Sequence, residues 1–307
     1  MGSWLEGKAL AEKIKQEVKD EVGLYQRTRH QVPGLMGILV GDNRSSQIYL
    51  RSKEKACQAL GIASQILTYP GDLEPRALKA EIEELNRRDD VDGILVQLPL
   101  PGHLDTHEII CAVSPAKDVD GIHPFNLGNL LANQEGPKPC TPLGIIELLK
   151  FNGVLMEGRD AVVIGRSLIV GKPVAAMLTN ENATVTVCHS KTKGLAEVAR
   201  RADILVAAMG KPAFVRPEFV KPGATVIDVG INRVSDKELV RELFGDDEKR
   251  RRDLDEKGYT VVGDVDPRAF ERAALMTPVP GGVGLLTVAM LMKNTLEAFK
   301  KRRGIAE

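Results

Sequence analysis

The chain has 307 residues, a length that suggests two domains with hydrophobic cores of ordinary size. Lysine and arginine together number 42, as do aspartate and glutamate, so the formal net charge is zero and no general binder of nucleic acid or of membrane surfaces is expected. No apolar run approaches the roughly 18 residues of a spanning helix, and the N-terminus shows no secretory or lipidation signal, so we expect a cytoplasmic protein with small-molecule partners.

Helical and strand-like patterns alternate along the first part of the chain. Apolar residues recur at helical spacing over about 7–27, and a second helix is predicted between a cap at Asn43 and a stop at Gly61. A third helix is predicted to begin at Pro75. The strands predicted between these helices are 35–40, 62–69 and 91–98.

A second alternating series follows a segment rich in proline and glycine, 117–142, where we place the domain junction. Its candidate strands are 161–164, 184–188, 204–207, 225–229 and 260–262. Regular alternation of this kind is typical of a parallel sheet covered by helices. The predicted fold class is therefore α/β throughout.

The segment 236–257 is unusually charged, with 16 charged residues among 22, nine of them acidic and seven basic. Such balanced mixing favours a solvated surface helix or loop over a binding site.

A glycine turn connects the first strand of the second series to a helix. After the strand come Gly165, Arg166 and Ser167, and Gly171 then opens the helix. Backbone N–H groups in such a turn can approach a phosphate, but Ser167 stands where the usual Gly-x-Gly-x-x-Gly pattern has its second glycine. From the pattern alone, dinucleotide binding and a plain strand-to-helix turn are equally plausible.

The end of the next strand indicates which dinucleotide would fit. His189, Ser190 and Lys191 follow the strand 184–188, where an NAD site usually has an acidic residue for the ribose hydroxyls. Arg166, Ser190 and Lys191 instead offer donors that suit the extra phosphate of NADP.

The first series contains three candidate site positions. Tyr49 and Lys53 lie four residues apart on one face of a predicted helix, although a packed tyrosine and a solvated lysine are the commoner interpretation. Gln97 stands at the carboxyl end of a strand, where α/β sheets hold ligands, and could equally be a satisfied buried amide. Asp120 precedes a glycine, and an aspartate in that position is more often a turn residue than a functional one.

A last glycine-rich segment, Pro280-Gly281-Gly282-Val283-Gly284, opens the final predicted helix. It could be the entry turn of that helix or a place where the backbone closely approaches a ligand.

Nine ordered segments together resemble the bifunctional methylenetetrahydrofolate dehydrogenase/methenyltetrahydrofolate cyclohydrolase family, over nearly the whole chain. They are Gly41-Asp42 with Ser46-x-x-Tyr49-x-x-x-Lys53, Val96-Gln97-Leu98-Pro99-Leu100-Pro101, Lys117-Asp118-Val119-Asp120-Gly121, Pro139-Cys140-Thr141-Pro142, Gly165-Arg166-Ser167-x-Ile169-Val170-Gly171, Cys188-His189-Ser190, Asp228-Val229-Gly230-Ile231-Asn232, Gly263-Asp264-Val265 and Thr277-Pro278-Val279-Pro280-Gly281-Gly282-Val283-Gly284. Two features depart from the family: Leu285-Leu286 replaces its usual Pro-Met, and the charged segment is longer than its usual connection.

The resemblance implies a fold with two α/β domains and a cleft between them. Residues 1–140 together with 280–307 would form a folate-binding catalytic domain, and 141–279 a Rossmann-like NADP-binding domain. The enzyme would oxidise methylenetetrahydrofolate with NADP and hydrolyse the methenyl product to formyltetrahydrofolate, which links it to one-carbon metabolism and purine biosynthesis.

The resemblance also implies a role for each motif residue. Lys53 would be the general base or proton shuttle of hydrolysis, Tyr49 would stack on the substrate, Gln97 would hold Lys53, and Asp120 would bind the pterin. The remaining folate contacts would be Val96, Leu98, Pro280, Gly281, Gly282, Val283 and Gly284. The NADP contacts would be Gly165, Arg166, Ser167, Ile169, Ser190 and Ile231.

The family further implies a homodimer with folate as its substrate. No metal is expected, because the four cysteines lie far apart and form no Cys-x-x-Cys pair. Two alternatives remain at this point: another NADP-dependent dehydrogenase acting on a small hydroxy or amino acid, and a non-catalytic nucleotide-binding regulatory protein.

Overall fold

The computed structural model describes residues 2–305; the outermost ends of the predicted domain ranges, residue 1 and residues 306–307, lie outside them. Within this described part the strands are β1 Ser3–Trp4, β2 Gly34–Val40, β3 Ala63–Tyr69, β4 Gly93–Val96, β5 Asp160–Ile164, β6 Thr184–Cys188, β7 Ile204–Ala207, β8 Thr225–Asp228, β9 Asn232–Val234, β10 Thr260–Val262 and β11 Leu275–Met276.

Helices connect most of these strands, and the predicted α/β class is confirmed. The α-helices are α1 Lys8–Arg29, α2 Arg44–Leu60, α3 Pro75–Arg87, α4 Thr106–Ala112, α5 Pro124–Leu131, α6 Cys140–Phe151, α7 Gly171–Asn180, α8 Leu195–Ala199, α9 Lys237–Phe244, α10 Glu248–Lys257 and α11 Val283–Arg302. No helix among the described residues is long and apolar enough to cross a membrane.

The chain divides into two compact units. Unit 1 comprises Met1–Leu10 and Thr141–Thr287, and unit 2 comprises Ala11–Cys140 and Val288–Glu307. The predicted functional ranges, 1–140 with 280–307 and 141–279, assign roles to these segments and stay a prediction.

Unit 2 is built on a three-stranded parallel sheet in the order β3-β2-β4. Every residue of the central strand β2 is buried, because this strand is paired on both edges and its apolar sequence packs on both faces. The helix that follows begins as predicted: the Asn43 side chain accepts the N–H groups of Ser45 and Ser46. It also ends as predicted, at Gly61, whose φ of 79° favours glycine.

Unit 1 contains a six-stranded parallel sheet in the order β1-β11-β8-β7-β5-β6. The central strands β7 and β8 are buried along their whole length, and β5 is buried after its first residue. Because the strands are parallel, the loops that follow them all leave from one edge of the sheet, where α/β proteins hold ligands.

The prediction that the strand 260–262 belongs to the parallel sheet was wrong. The segment 260–262 is a strand, β10, but it pairs antiparallel with β9 in a separate two-stranded ribbon. The helices α9 and α10 leave from the end of β9 and return the chain beside it, so β10 runs back along β9 instead of joining the sheet. The two remaining sheet positions belong to β1 and β11, which are two residues long and too short to show a periodic pattern.

The charged segment 236–257 forms the helices α9 and α10, and its solvated character is confirmed. Its few apolar side chains, including Val240, Leu243 and Leu254, pack in a small cluster with the β9–β10 ribbon. Asp236 and Asp247 cap the two helices. Arg250 is an exception to the solvated pattern, because its side chain is partly buried.

Candidate functional site

Lys53 and Gln97 lie together in unit 2. Lys53 is on α2, and its Nζ lies 3.2 Å from Oε1 of Gln97, the residue that follows β4. The Gln97 amide Nε2 donates to the Leu98 carbonyl at 2.8 Å, so its oxygen is the atom left to accept from the lysine. Gln97 is thus able to hold the Lys53 amine at the carboxyl end of the sheet.

Tyr49 lies one helical turn before Lys53 and does not pack in the core. Its side chain is 44 % exposed, whereas its neighbour Leu50 is buried. The commoner interpretation, a core tyrosine beside a solvated lysine, is therefore wrong for this helix. An exposed ring next to a held amine can form a stacking surface for a planar ligand.

Asp118, two residues before Asp120, takes the turn-forming role that the sequence suggested for Asp120. The Asp118 carboxylate accepts the N–H groups of Gly121 and His123 and the side-chain amide of Asn126. Among the described residues, the Asp120 side chain accepts one long hydrogen bond, 3.9 Å, from the Cys140 thiol. The Asp120 carboxylate is therefore left to bind a ligand.

Burial raises the pKa of Asp120 above its ordinary value, and the nearby Lys53 cation opposes this rise. The same burial, with the Asp120 charge beside it, raises the pKa of the Cys140 thiol, so this cysteine stays protonated at neutral pH. Unit 2 thus brings three of the four predicted catalytic residues, Lys53, Gln97 and Asp120, into one electrostatic group, with Tyr49 on the same helix as Lys53.

Asn294 on α11 supports this group and was missed by sequence analysis. Its Nδ2 donates to the carbonyls of Val119 at 2.8 Å and Lys138 at 2.9 Å, and it lies 3.5 Å from the Cys140 sulfur. Asn294 therefore ties down the backbone immediately before Asp120. The available signal was an amide that lies one helical turn after the apolar residues Met290 and Leu291.

The turn after β5 requires its glycines. Gly165 has a φ of 126°, and a Cβ there would lie 2.1 Å from the Ala208 carbonyl oxygen. A Cβ at Gly171, the first residue of α7, would lie 2.2 Å from the Gly165 oxygen. Ser167 does not imitate the missing glycine: its hydroxyl accepts from the N–H groups of Val170 and Gly171 at the start of α7.

The predicted NADP contacts in unit 1 are accessible. Arg166, Ser167, Ile169 and Ser190 are exposed around the turn and at the end of β6, and Ile231 is 50 % exposed after β8. The closely packed glycines and the start of the ten-residue helix α7 fit the pyrophosphate of a dinucleotide. The exposed Arg166 side chain and the absence of a carboxylate at 189–191 fit the extra phosphate of NADP.

The segment before α11 forms a turn, and contacts within the protein account for part of its need for glycine. Gly281 has a φ of 117°, and its carbonyl accepts the N–H of Gly7 at 3.0 Å. The N–H of Gly282 donates to Pro278, and a Cβ at Gly282 would lie 2.8 Å from that carbonyl oxygen. The entry-turn interpretation is thus supported for these glycines, and their contact with a ligand stays a prediction.

Two buried aspartates organise the loops after β7 and β8. Asp228 accepts three backbone N–H groups, among them that of Gly230, and burial raises its pKa to about 7. Asp264 accepts the N–H groups of Met209, Gly210 and Lys211. Within residues 2–305, no group of three or more histidine, cysteine, aspartate or glutamate residues could hold a metal ion.

Comparison with known proteins agrees with this geometry. Residues 5–120 match the tetrahydrofolate dehydrogenase/cyclohydrolase catalytic domain, and residues 139–303 match the NAD(P)-binding domain of the same family. The bifunctional protein FolD of Koribacter versatilis is 53 % identical over 300 residues, which cover 98 % of this chain and 97 % of that protein.

Solved structures extend the match to the fold. The bifunctional enzyme FolD of Campylobacter jejuni superposes with a TM-score of 0.89 at 43 % identity, covering 98 % of this chain and all of that one. The Trypanosoma brucei methylenetetrahydrofolate dehydrogenase-cyclohydrolase, solved with NADP and an inhibitor, gives a TM-score of 0.89 at 40 % identity, with 98 % of each chain covered. The family indicated by the nine sequence segments is confirmed, and this chain belongs to the tetrahydrofolate dehydrogenase/cyclohydrolase family.

Proposed function

We propose that this chain carries out the two reactions of its family with two separate sets of side chains. It oxidises methylenetetrahydrofolate to methenyltetrahydrofolate with NADP and hydrolyses the methenyl product to formyltetrahydrofolate. The observation that carries the assignment of residues is the group formed by Lys53, Gln97 and Asp120, which has a base, a group that holds it and an acceptor for the substrate.

Lys53 is the base of the hydrolysis. Water attacks the electrophilic methenyl carbon, and Lys53 Nζ takes the proton that the water loses. The amidinium of the substrate is a cation, so a neutral amine beside it avoids repulsion between like charges and can accept the proton. Gln97 fixes the amine in one position, so the lysine loses less rotamer entropy in the reaction.

Asp120 and Tyr49 bind the two ends of the folate head. A carboxylate can accept two parallel N–H bonds from the amino-pyrimidine edge of a pterin, and Asp120 has no competing backbone donor among the described residues. The exposed Tyr49 ring stacks on the aminobenzoyl group. Backbone and side-chain contacts come from Val96 and Leu98, and from the turn Pro280–Gly284.

Residues of unit 1 bind NADP, which when bound accepts the hydride of the methylene carbon. The glycines Gly165 and Gly171 let the chain approach the pyrophosphate, and the N-terminal end of α7 favours its negative charge. Ser167 and Ile169 complete the turn. Arg166 and Ser190 bind the extra ribose phosphate, and Ile231 contacts the nicotinamide side.

The assignment of hydrolysis is tested with Lys53→Met, and Lys55→Met, an exposed lysine on the same helix, serves as the charge-matched control. We expect Lys53→Met to lower the rate of methenyltetrahydrofolate hydrolysis by about 10²- to 10⁴-fold, the usual contribution of a positioned base. NADP affinity should be unchanged in both variants, because the dinucleotide turn belongs to the other unit. Hydrolysis at the wild-type rate in Lys53→Met would remove Lys53 from the mechanism.

We also propose that the protein is a cytoplasmic homodimer that supplies formyl groups to purine biosynthesis. Phe125 and Leu131 on α5 are 60 % and 74 % exposed, and large exposed apolar side chains of this kind support an interface. Light scattering on the purified chain should give twice the 33.4 kDa of one copy. A mass of one copy at micromolar concentration would contradict the dimer.

A further inference from the structure

The charged segment 236–257 reaches the residue before the turn Pro280–Gly284 through one side chain. Arg250 on α10 donates from Nη1 to the Val261 carbonyl at 2.5 Å and from Nη2 to the Val279 carbonyl at 2.9 Å. Val279 is the residue directly before Pro280, so one guanidinium joins the turn to the strand β10.

Arg250 is itself held in place from two sides. Its guanidinium carbon lies 3.6 Å from the centre of the Phe244 ring on α9, a cation–π contact. Its backbone N–H donates to Asp247, the cap of α10. Burial lowers the pKa of Arg250, and Asp247 and Asp253 oppose this change. The other basic residues at its end of α10, Lys249, Arg251 and Arg252, are exposed.

We infer that Arg250 is a positioning residue for folate binding, which fixes the turn Pro280–Gly284 by bridging the carbonyls of Val279 and Val261. This inference rests on the proposed contact between that turn and the folate. The helices α9 and α10 then hold Arg250 in the position from which it binds the residue before the turn.

When the Arg250 side chain is shortened, we expect the turn Pro280–Gly284 to lose its fixed position while the fold is kept. A cavity of about 560 Å³ lies beside Arg250 and is lined by, among others, Val261 and Val279. Water can enter a space of this size and replace the guanidinium donors when the side chain is shortened. The carbonyls stay solvated, but nothing then links the two segments.

The test compares Arg250→Met and Arg250→Lys with Arg252→Met, an exposed arginine two positions along the same helix. Arg250→Met should raise the KM for methylenetetrahydrofolate about tenfold, because about 1.4 kcal/mol of the binding free energy is then used to order the turn, with the KM for NADP unchanged. Arg250→Lys keeps the charge but can reach only one carbonyl, so it should recover part of the loss. Arg252→Met should match the wild type in both constants.

A fourth variant, Gly281→Ala, separates this inference from the proposed function. Its Cβ has room, but a φ of 117° is strained for alanine, so the turn itself must shift. If Gly281→Ala raises the folate KM and Arg250→Met does not, the role of Arg250 is wrong and the turn keeps its function. If neither variant changes the folate KM, the turn does not bind folate, and both statements fail. Equal rises in the two KM values for Arg250→Met, without recovery in Arg250→Lys, would make Arg250 a general structural residue.

Discussion

Asp118 and Asp120 are two residues apart, and their surroundings give them different chemistry. Asp118 accepts three hydrogen bonds from backbone and side-chain donors, whereas Asp120 is partly buried and has a weak thiol donor and the Lys53 cation nearby. The same residue type therefore builds the turn at one position and is available to a ligand at the other. Sequence spacing could not separate the two roles, because both aspartates stand in one short polar segment.

We expect the raised pKa of Asp120, the proposed pterin acceptor, to make folate binding depend on pH. Burial favours the protonated acid, so Asp120 takes up its proton at a higher pH than an ordinary carboxyl does, and the protonated form accepts pterin N–H bonds less well. We expect the KM for methylenetetrahydrofolate to rise as the pH falls from 8 to 5. Lys53→Met should move this rise to higher pH, because the cation that opposes it is gone.

Asp120→Asn provides the control for this pH effect. It should weaken folate binding by about 1.5 to 3 kcal/mol, the range for a hydrogen bond to a charged group, and the dependence of KM on pH should disappear. An unaltered pH profile in Asp120→Asn, measured as KM with saturating NADP, would show that another group titrates.

The turn between β5 and α7 is the element that we propose chooses between NADP and NAD, and Arg166 is its charged residue. Arg166 is exposed after Gly165, where its guanidinium can pair with two oxygens of a ribose phosphate. We expect the wild type to prefer NADP to NAD, and Arg166→Ala to lower kcat/KM mainly for NADP, since charge-assisted bonds are about twice as strong as neutral ones. The measurement is kcat/KM for both cofactors in both proteins.

Equal losses with NADP and NAD in Arg166→Ala would place this arginine on the pyrophosphate or in the fold. Lys172→Ala is the matched control, since Lys172 is an exposed cation in the first turn of α7, and it should leave the ratio of the two kcat/KM values unchanged.

The last helix, α11, contributes to unit 2 through Asn294. Asn294→Ala removes the amide donor of the Val119 and Lys138 carbonyls and leaves Val119 with only the weak Cys140 thiol donor, which should lower the free energy of unfolding by about 1 to 3 kcal/mol. Because Val119 precedes Asp120, the folate KM should rise in the same variant. Urea unfolding and steady-state kinetics measure the two effects, and a variant as stable as the wild type would contradict the contact.

Long periodic elements could be predicted from the sequence, and short or non-local ones could not. The cap and stop of α2 and the strand β6 lie where the pattern places them, because local residues decide them. The two-residue strands β1 and β11 carry no period, and the antiparallel pairing of β10 depends on where α9 and α10 return the chain. Asn294 and Arg250 were missed for the same reason: their acceptors are distant in sequence.

At the scale of the whole molecule, each unit has candidate residues in the loops that follow its parallel strands. Gln97 follows β4, Gly165 follows β5 and Ser190 comes two residues after β6, so each stands at the carboxyl edge of a parallel sheet. The nine family segments fall largely on such loop positions, where functional residues of α/β proteins are common, so motifs propose candidate site residues that hydrophobic patterns do not. The roles of the individual residues still depend on contacts that only the folded chain shows.

One chain first oxidises and then hydrolyses its folate substrate in the proposed function. The most direct measurement is a single absorbance time course of the purified chain with methylenetetrahydrofolate and NADP, recording NADPH and the methenyl product together. We predict that NADPH appears, that the methenyl product rises briefly and decays faster than in enzyme-free buffer, and that Lys53→Met makes NADPH while the methenyl product accumulates. No NADPH, or a methenyl product that decays in the wild type only at the rate of enzyme-free buffer, would contradict the claim.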